Sequence, residues 1–233
     1  MSSSSLPPDA KMARDALRRR IDAELEQIGP INVSSWMMGL SSKPAPAPVR
    51  HQDQWATSVE IEARLGRLLW KESAKLKEGQ CFHVLTSTSQ LVAVLKPETG
   101  ATYLKEQVLI TEMRGWQLQR RPAAAFSSPP GYRRTTMTAA LWRFALFDLE
   151  GNKVLPGRYR EAPLVLRQLP AVERDLVPVR QVKLMQMISR KAYTFTELLA
   201  LTQLSDEQLS RDLAALYLAR SLRALGPPQA ASA

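Results

Sequence analysis

The C-terminal stretch from Val182 to Leu225 leaves this chain the least freedom, because caps and apolar spacings alternate there in a fixed order. Leu184 and Ile188 stand four apart with Met185 beside them, which places one apolar face on a first helix. Thr194 with Glu197 three residues later has the capping-box spacing and starts a second helix carrying Leu198 and Leu199. Ser205 caps a third, whose first turn holds Asp206 and Glu207, where the helix dipole favours negative charge. Leu209, Leu213 and Leu216 then form a stripe that requires a core to cover it. Ser221 to Leu225 reads as a short strand.

Three short helices followed by a strand, in this spacing, resemble the winged helix-turn-helix superfamily. The resemblance covers the C-terminal region only and lies at the level of fold, so it carries no inherited function. It implies a binding module that uses its third helix, on DNA in many members and on proteins in others. In that arrangement Glu207, Gln208, Ser210, Arg211, Ala214 and Ala215 form the outer side of the helix, and Glu207, Gln208, Ser210 and Arg211 are the expected contacts to a partner protein or to DNA. Gln203 stands in the turn where a glycine is usual, because one residue there adopts a positive φ. Within the helix Arg211 faces Asp206, Glu207 and Asp212, a charge balance that suits phosphates poorly. Protein contact is therefore the first expectation and DNA contact the second. No second wing strand is expected after Leu225, where Gly226-Pro227-Pro228 leads into an Ala/Ser tail.

The formal charge of +10 invites a nucleic-acid reading, but the excess of Lys and Arg is spread along the whole chain rather than gathered in a patch. Cys81 is the lone cysteine, which excludes an internal disulfide framework and suits a cytoplasmic chain. No long apolar run is present, so no membrane span is expected, and Asp9 and Asp15 argue against a secretory or organelle leader.

Upstream, the chain divides at its prolines. Residues 1–50 are expected to hold a helix from about Asp9 to Ile28, with Leu17, Ile21, Leu25 and Ile28 on one face, then a linker around Ser41 to Pro48. Residues 51–121 read as a small α/β domain. Ile61, Leu65, Leu68 and Leu69 give its helix, Cys81 to Leu85 and Leu91 to Leu95 two strands, and Ala101 to Leu104 a third after the Pro97–Gly100 turn. Leu109, Ile110 and the Trp116 to Leu118 stretch are expected to complete that layer. Residues 122–135 are read as a second linker, 136–225 as a connecting segment plus the winged-helix-like module, and 226–233 as a tail. Within the connecting segment Thr138 to Asp148 is expected to be a helix, with the alternation of Trp142, Phe144 and Leu146 fitting a strand as the second reading, and Leu164 to Leu166 a strand.

The search for chemistry yields little. His51 and His83 lack companions at metal-ligand spacing, and one cysteine builds no zinc site. Cys81 and His83 share one side of a strand, which is an ordinary core placement before it is a thiolate–imidazole pair. There is no glycine-rich phosphate loop. No catalytic residue, metal or cofactor is expected. Arg120-Arg121 and Arg133-Arg134, at the two ends of the second linker with Tyr132 adjacent, are candidate contacts to an anion such as a nucleotide second messenger, although solvated linker ends are the plainer reading.

The sequence thus points to an α+β chain, a small α/β domain followed by a winged-helix-like helical module. The expected function is that of a non-enzymatic, bacterial-type cytoplasmic regulatory or adaptor protein acting through protein contacts, with a homodimer compatible. A sequence-specific DNA-binding regulator comes second, and a sensor of an anionic small ligand third.

Overall fold

The computed structural model describes residues 55–122 and 130–226. The expected helix over 9–28, the linker around Ser41 to Pro48 and the tail from 227 lie outside them. Helix α1 (Ser58–Glu72) starts at a capping box in which Thr57 Oγ1 accepts from the Glu60 amide and the Glu60 carboxylate accepts from the Thr57 amide. Its apolar side, Ile61, Leu65 and Leu69, lies against an antiparallel sheet of five strands. These are β1 (Gln80–Leu85), β2 (Leu91–Lys96), β3 (Ala101–Lys105), β4 (Gln117–Pro122) and β5 (Tyr132–Thr136), in the order β4-β1-β2-β3-β5.

Register assigns the faces. Phe82 pairs with Leu95, Val84 with Ala93, and Ala93 with Leu104, so these residues share one face, and all five belong to the core under α1. Two expectations need correction. Leu109 and Ile110 add no strand; Leu109 bridges Trp55, and Ile110 opens a 3-10 turn to Met113. Residues 132–135, read as linker, belong with Thr136 to the edge strand β5 paired with β3, because Tyr132 to Thr136 finds its ladder partner about thirty residues back, beyond the reach of local patterning.

Helix α2 (Met137–Phe147) follows β5 directly, capped by Thr136. It contributes Ala140 to the core under the sheet, and Trp142, Phe144, Ala145 and Leu146 to a second core. Such a helix, apolar all round, has to be buried on both sides. Its contact with α1 is close: a Cβ on Gly66 would stand 2.2 Å from the Ala140 carbonyl oxygen and 2.6 Å from Phe144 Cβ.

Beyond α2 come a 3-10 turn (Gly151–Lys153), α3 (Arg158–Glu161), β6 (Leu164–Leu166), and three helices, α4 (Val179–Arg190), α5 (Phe195–Thr202) and α6 (Asp206–Leu218), then β7 (Leu222–Ala224). Thr194 and Glu197 cap α5 reciprocally, and Ser205 caps α6. Gln203 takes the left-handed conformation, φ 58°, that the tight turn between them demands. Strand β7 pairs antiparallel with β6, a strand that precedes the three helices, and Leu164 also bridges Tyr193. Among the described residues no helix is long and apolar enough to cross a membrane.

Candidate functional site

Helix α6 carries the residues singled out for partner contact, and its surroundings decide what they can do. Leu209, Leu213 and Leu216 are fully buried, as their spacing requires. The opposite side is not free either. Ser210, Ala214 and Ala215 are fully buried too, so from Leu209 to Leu216 only Arg211 reaches solvent. The cover comes from elsewhere in the chain: α2 and the Gly151–Lys153 turn pack on α6, and Arg160 of α3 donates to Ser210 Oγ at 2.6 Å. Alanines at 214 and 215 permit that close approach. Their small side chains, which read as an open outer face in sequence, are what a tightly packed neighbour needs.

The three carboxylates of α6 are each matched by an arginine. Arg160 grips Asp206 with both terminal nitrogens, at 3.0 to 3.3 Å, while its guanidinium lies 4.6 Å from the Phe195 ring centre. Glu207 accepts from Arg211 Nη2 at 2.6 Å, one turn along the helix. Asp212 is fully buried and held by a two-pronged fork, Arg180 Nε at 3.0 Å to Oδ2 and Nη2 at 3.1 Å to Oδ1, with Gln181 Nε2 at 3.5 Å. Burial pushes the Asp212 carboxyl up from its ordinary range, against the pull of Arg180 and Gln181. Counting charges within the helix alone misses Arg160 and Arg180, which lie 46 and 32 residues from the carboxylates they neutralise.

Three of the four expected contact residues meet at one cleft. Glu207, Gln208 and Arg211 of α6 line it with Arg180 of α4 and Leu146 of α2, around a volume of about 340 Å³. Ser210 is not among them; it is enclosed under Arg160. Arg180 and Leu146 escaped the sequence reading because they sit on other elements, and no local pattern links them to α6.

The four arginines proposed as anion contacts do not converge. Arg120 and Arg121 sit on β4 and Arg133 and Arg134 on β5, at opposite edges of the sheet, four inter-strand spacings or about 19 Å apart. Strand alternation also divides each pair between the two faces. Arg133 is already engaged, donating from Nη2 to Glu62 Oε1 at 2.5 Å beneath α1. Glu62 is buried, which raises its pKa despite Arg133 and Arg143. A basic groove forms instead along α1, where Arg64, Arg67 and Lys71 face Leu68, Gly115 and Trp116. Glu150 takes two of these cations, accepting from Arg67 at 2.7 Å and pairing with Lys71 at 3.7 Å.

Cys81 and His83 do share a side of β1, but burial raises the thiol pKa and lowers that of the imidazole, the reverse of what an ion pair needs. Among the described residues there is no group of three or more His, Cys, Asp or Glu side chains able to hold a metal ion. No protein-family model, curated protein or solved structure matches the chain.

Proposed function

We propose that this chain is a regulatory or adaptor protein without catalytic activity, working through protein–protein contacts of its C-terminal unit, in which α4, α5, α6 and β7 follow one another in winged-helix order. The observation that carries this reading is the burial of α6. A helix that reads DNA must offer a face to the major groove and bring several donors to base edges. Here Ser210, Ala214 and Ala215 of the side that would enter the groove are buried, and Arg211 is the one cation of α6, already paired with Glu207. The surface left on this helix is short and mixed in charge, a composition that suits a small protein contact better than a phosphate backbone.

The test is filter binding of the purified full chain to genomic DNA across a salt series. The adaptor reading expects weak binding that vanishes as salt rises, in keeping with a diffuse charge of +10. Salt-resistant binding to one sequence, lost in a folded Arg211→Ala variant, would put the DNA-binding regulator in its place.

A further inference from the structure

The cleft between α2, α4 and α6 holds two guanidinium groups, each with part of its donor set unused. Arg180 spends Nε and Nη2 on Asp212 and keeps Nη1 outside that fork. Arg211 spends Nη2 on Glu207, while its Nε is buried and makes no hydrogen bond. A buried donor without a partner is a standing loss of free energy, recovered when an acceptor arrives. The acceptor now at Arg211 is easily exchanged: the Glu207 side chain is 59% exposed, and a pair between neighbouring turns of one helix is worth little. Asp212, by contrast, is fully enclosed and cannot leave.

We infer that this cleft docks a peptide segment of a partner protein that presents a glutamate or aspartate side chain beside an aliphatic one. This rests on the adaptor reading and names the chemistry of its partner. The incoming carboxylate displaces Glu207 and takes the Arg211 guanidinium by the terminal nitrogen that Glu207 releases, the charge-assisted contact in which a guanidinium binds carboxylate well. Arg180 lines another wall, Leu146 supplies an apolar wall, and Val179, 56% exposed at the start of α4, lies next to Arg180 in the chain. The exchange is one carboxylate for one. The cleft carries two cations against Glu207 and Asp212, so it offers a polyanion no net attraction, whereas a single carboxylate replaces Glu207 without changing the balance.

Fluorescence anisotropy on the full chain tests this, using fluorescein-labelled acetyl-Leu-Glu-Leu-Glu-Leu-amide as probe and the analogue with glutamine at both glutamates as control. The glutamate probe should bind about tenfold more tightly than the glutamine one, the ratio expected from one charge-assisted hydrogen bond. Glu207→Gln should tighten the glutamate probe about threefold by removing the internal competitor, and Arg211→Ala should weaken it about tenfold. Glu207 is exposed and Arg211 half-buried, so thermal melts of both variants are compared with the parent, and matching melts exclude unfolding as the cause. Equal binding of the two probes, weaker binding in Glu207→Gln, or no change in Arg211→Ala each overturns the docking site. If one of those results comes with zero-length cross-linking of the full chain to a protein through another surface, the docking site falls and the adaptor reading stands. Salt-resistant, sequence-specific DNA binding removes both.

Discussion

Among the described residues, the sheet half and the helical half each bury one carboxylate, and the two are held differently. In the sheet half, Glu62 of α1 accepts from Arg133 of β5 at Oε1, while Oε2 lies 3.7 Å from Arg143 Nε of α2, and neither of those atoms makes a hydrogen bond. In the helical half, Asp212 receives a closed fork from Arg180 with Gln181 beside it. The first carboxylate ties three elements together with imperfect geometry; the second joins two helices with nearly all its lone pairs used. A buried ion pair repays its desolvation only when its hydrogen bonds are complete. The helical half comes closer to that condition, although burial still outweighs Arg180 and Gln181 in raising the Asp212 carboxyl, and the sheet half relies on its apolar core beneath α1 instead.

The largest effect should come from breaking the complete pair. Arg180→Ala strands Asp212 in the interior and should cost about 3–5 kcal/mol of stability in a denaturant titration. A loss below about 1 kcal/mol would mean that water reaches Asp212 and that the two carboxylates are not different in kind. Next, Leu213→Ala should cost about 2–4 kcal/mol by opening a cavity in the second core, and an unaltered melting curve would remove α6 from that core.

Gly66→Ala probes the seam between the halves. A methyl group there meets the Ala140 carbonyl and Phe144, so α1 and α2 must separate, at about 1–3 kcal/mol, although alanine itself favours helix. If α2 couples the two cores, this variant should lower one cooperative transition. Two resolved transitions would show that the halves unfold independently.

The gentlest test is pH. Burial raises the Glu62 pKa above its ordinary value of 4.5, so the folded chain holds that proton more tightly than the unfolded chain. Its contribution to stability is therefore greatest below 4.5 and falls as pH rises through the folded value. Asp212 shifts in the same direction, while Glu150, lowered by its hydrogen bond from Arg67, works oppositely: it adds stability above the ordinary carboxylate range and loses it as pH falls through its folded value. Glu62→Gln should thus flatten the decline in denaturation midpoint above pH 4.5 relative to the parent. Identical profiles would show that Glu62 titrates as though exposed.

Much of the local structure was legible in the residues themselves. The Thr194–Glu197 box, the Ser205 cap, the leucine stripe of α6 and the first three strands all follow from interactions within a few positions, where side-chain period and capping chemistry act. The reading of α6 as a helix with an exposed face failed at Ser210, Ala214 and Ala215 for the complementary reason. Ala214 and Ala215 look equally neutral beside solvent and beside another helix, and only the packing of α2 shows which they meet. The partners of Asp206 and Asp212, the place of β5 in the sheet and the pairing of β7 with β6 are likewise contacts between distant segments. The sequence by itself determined where the capped helices and the first three strands begin, because those decisions are local. The tertiary structure alone decided which faces are covered and which charges are neutralised, because burial and ion pairing depend on what the rest of the chain brings alongside.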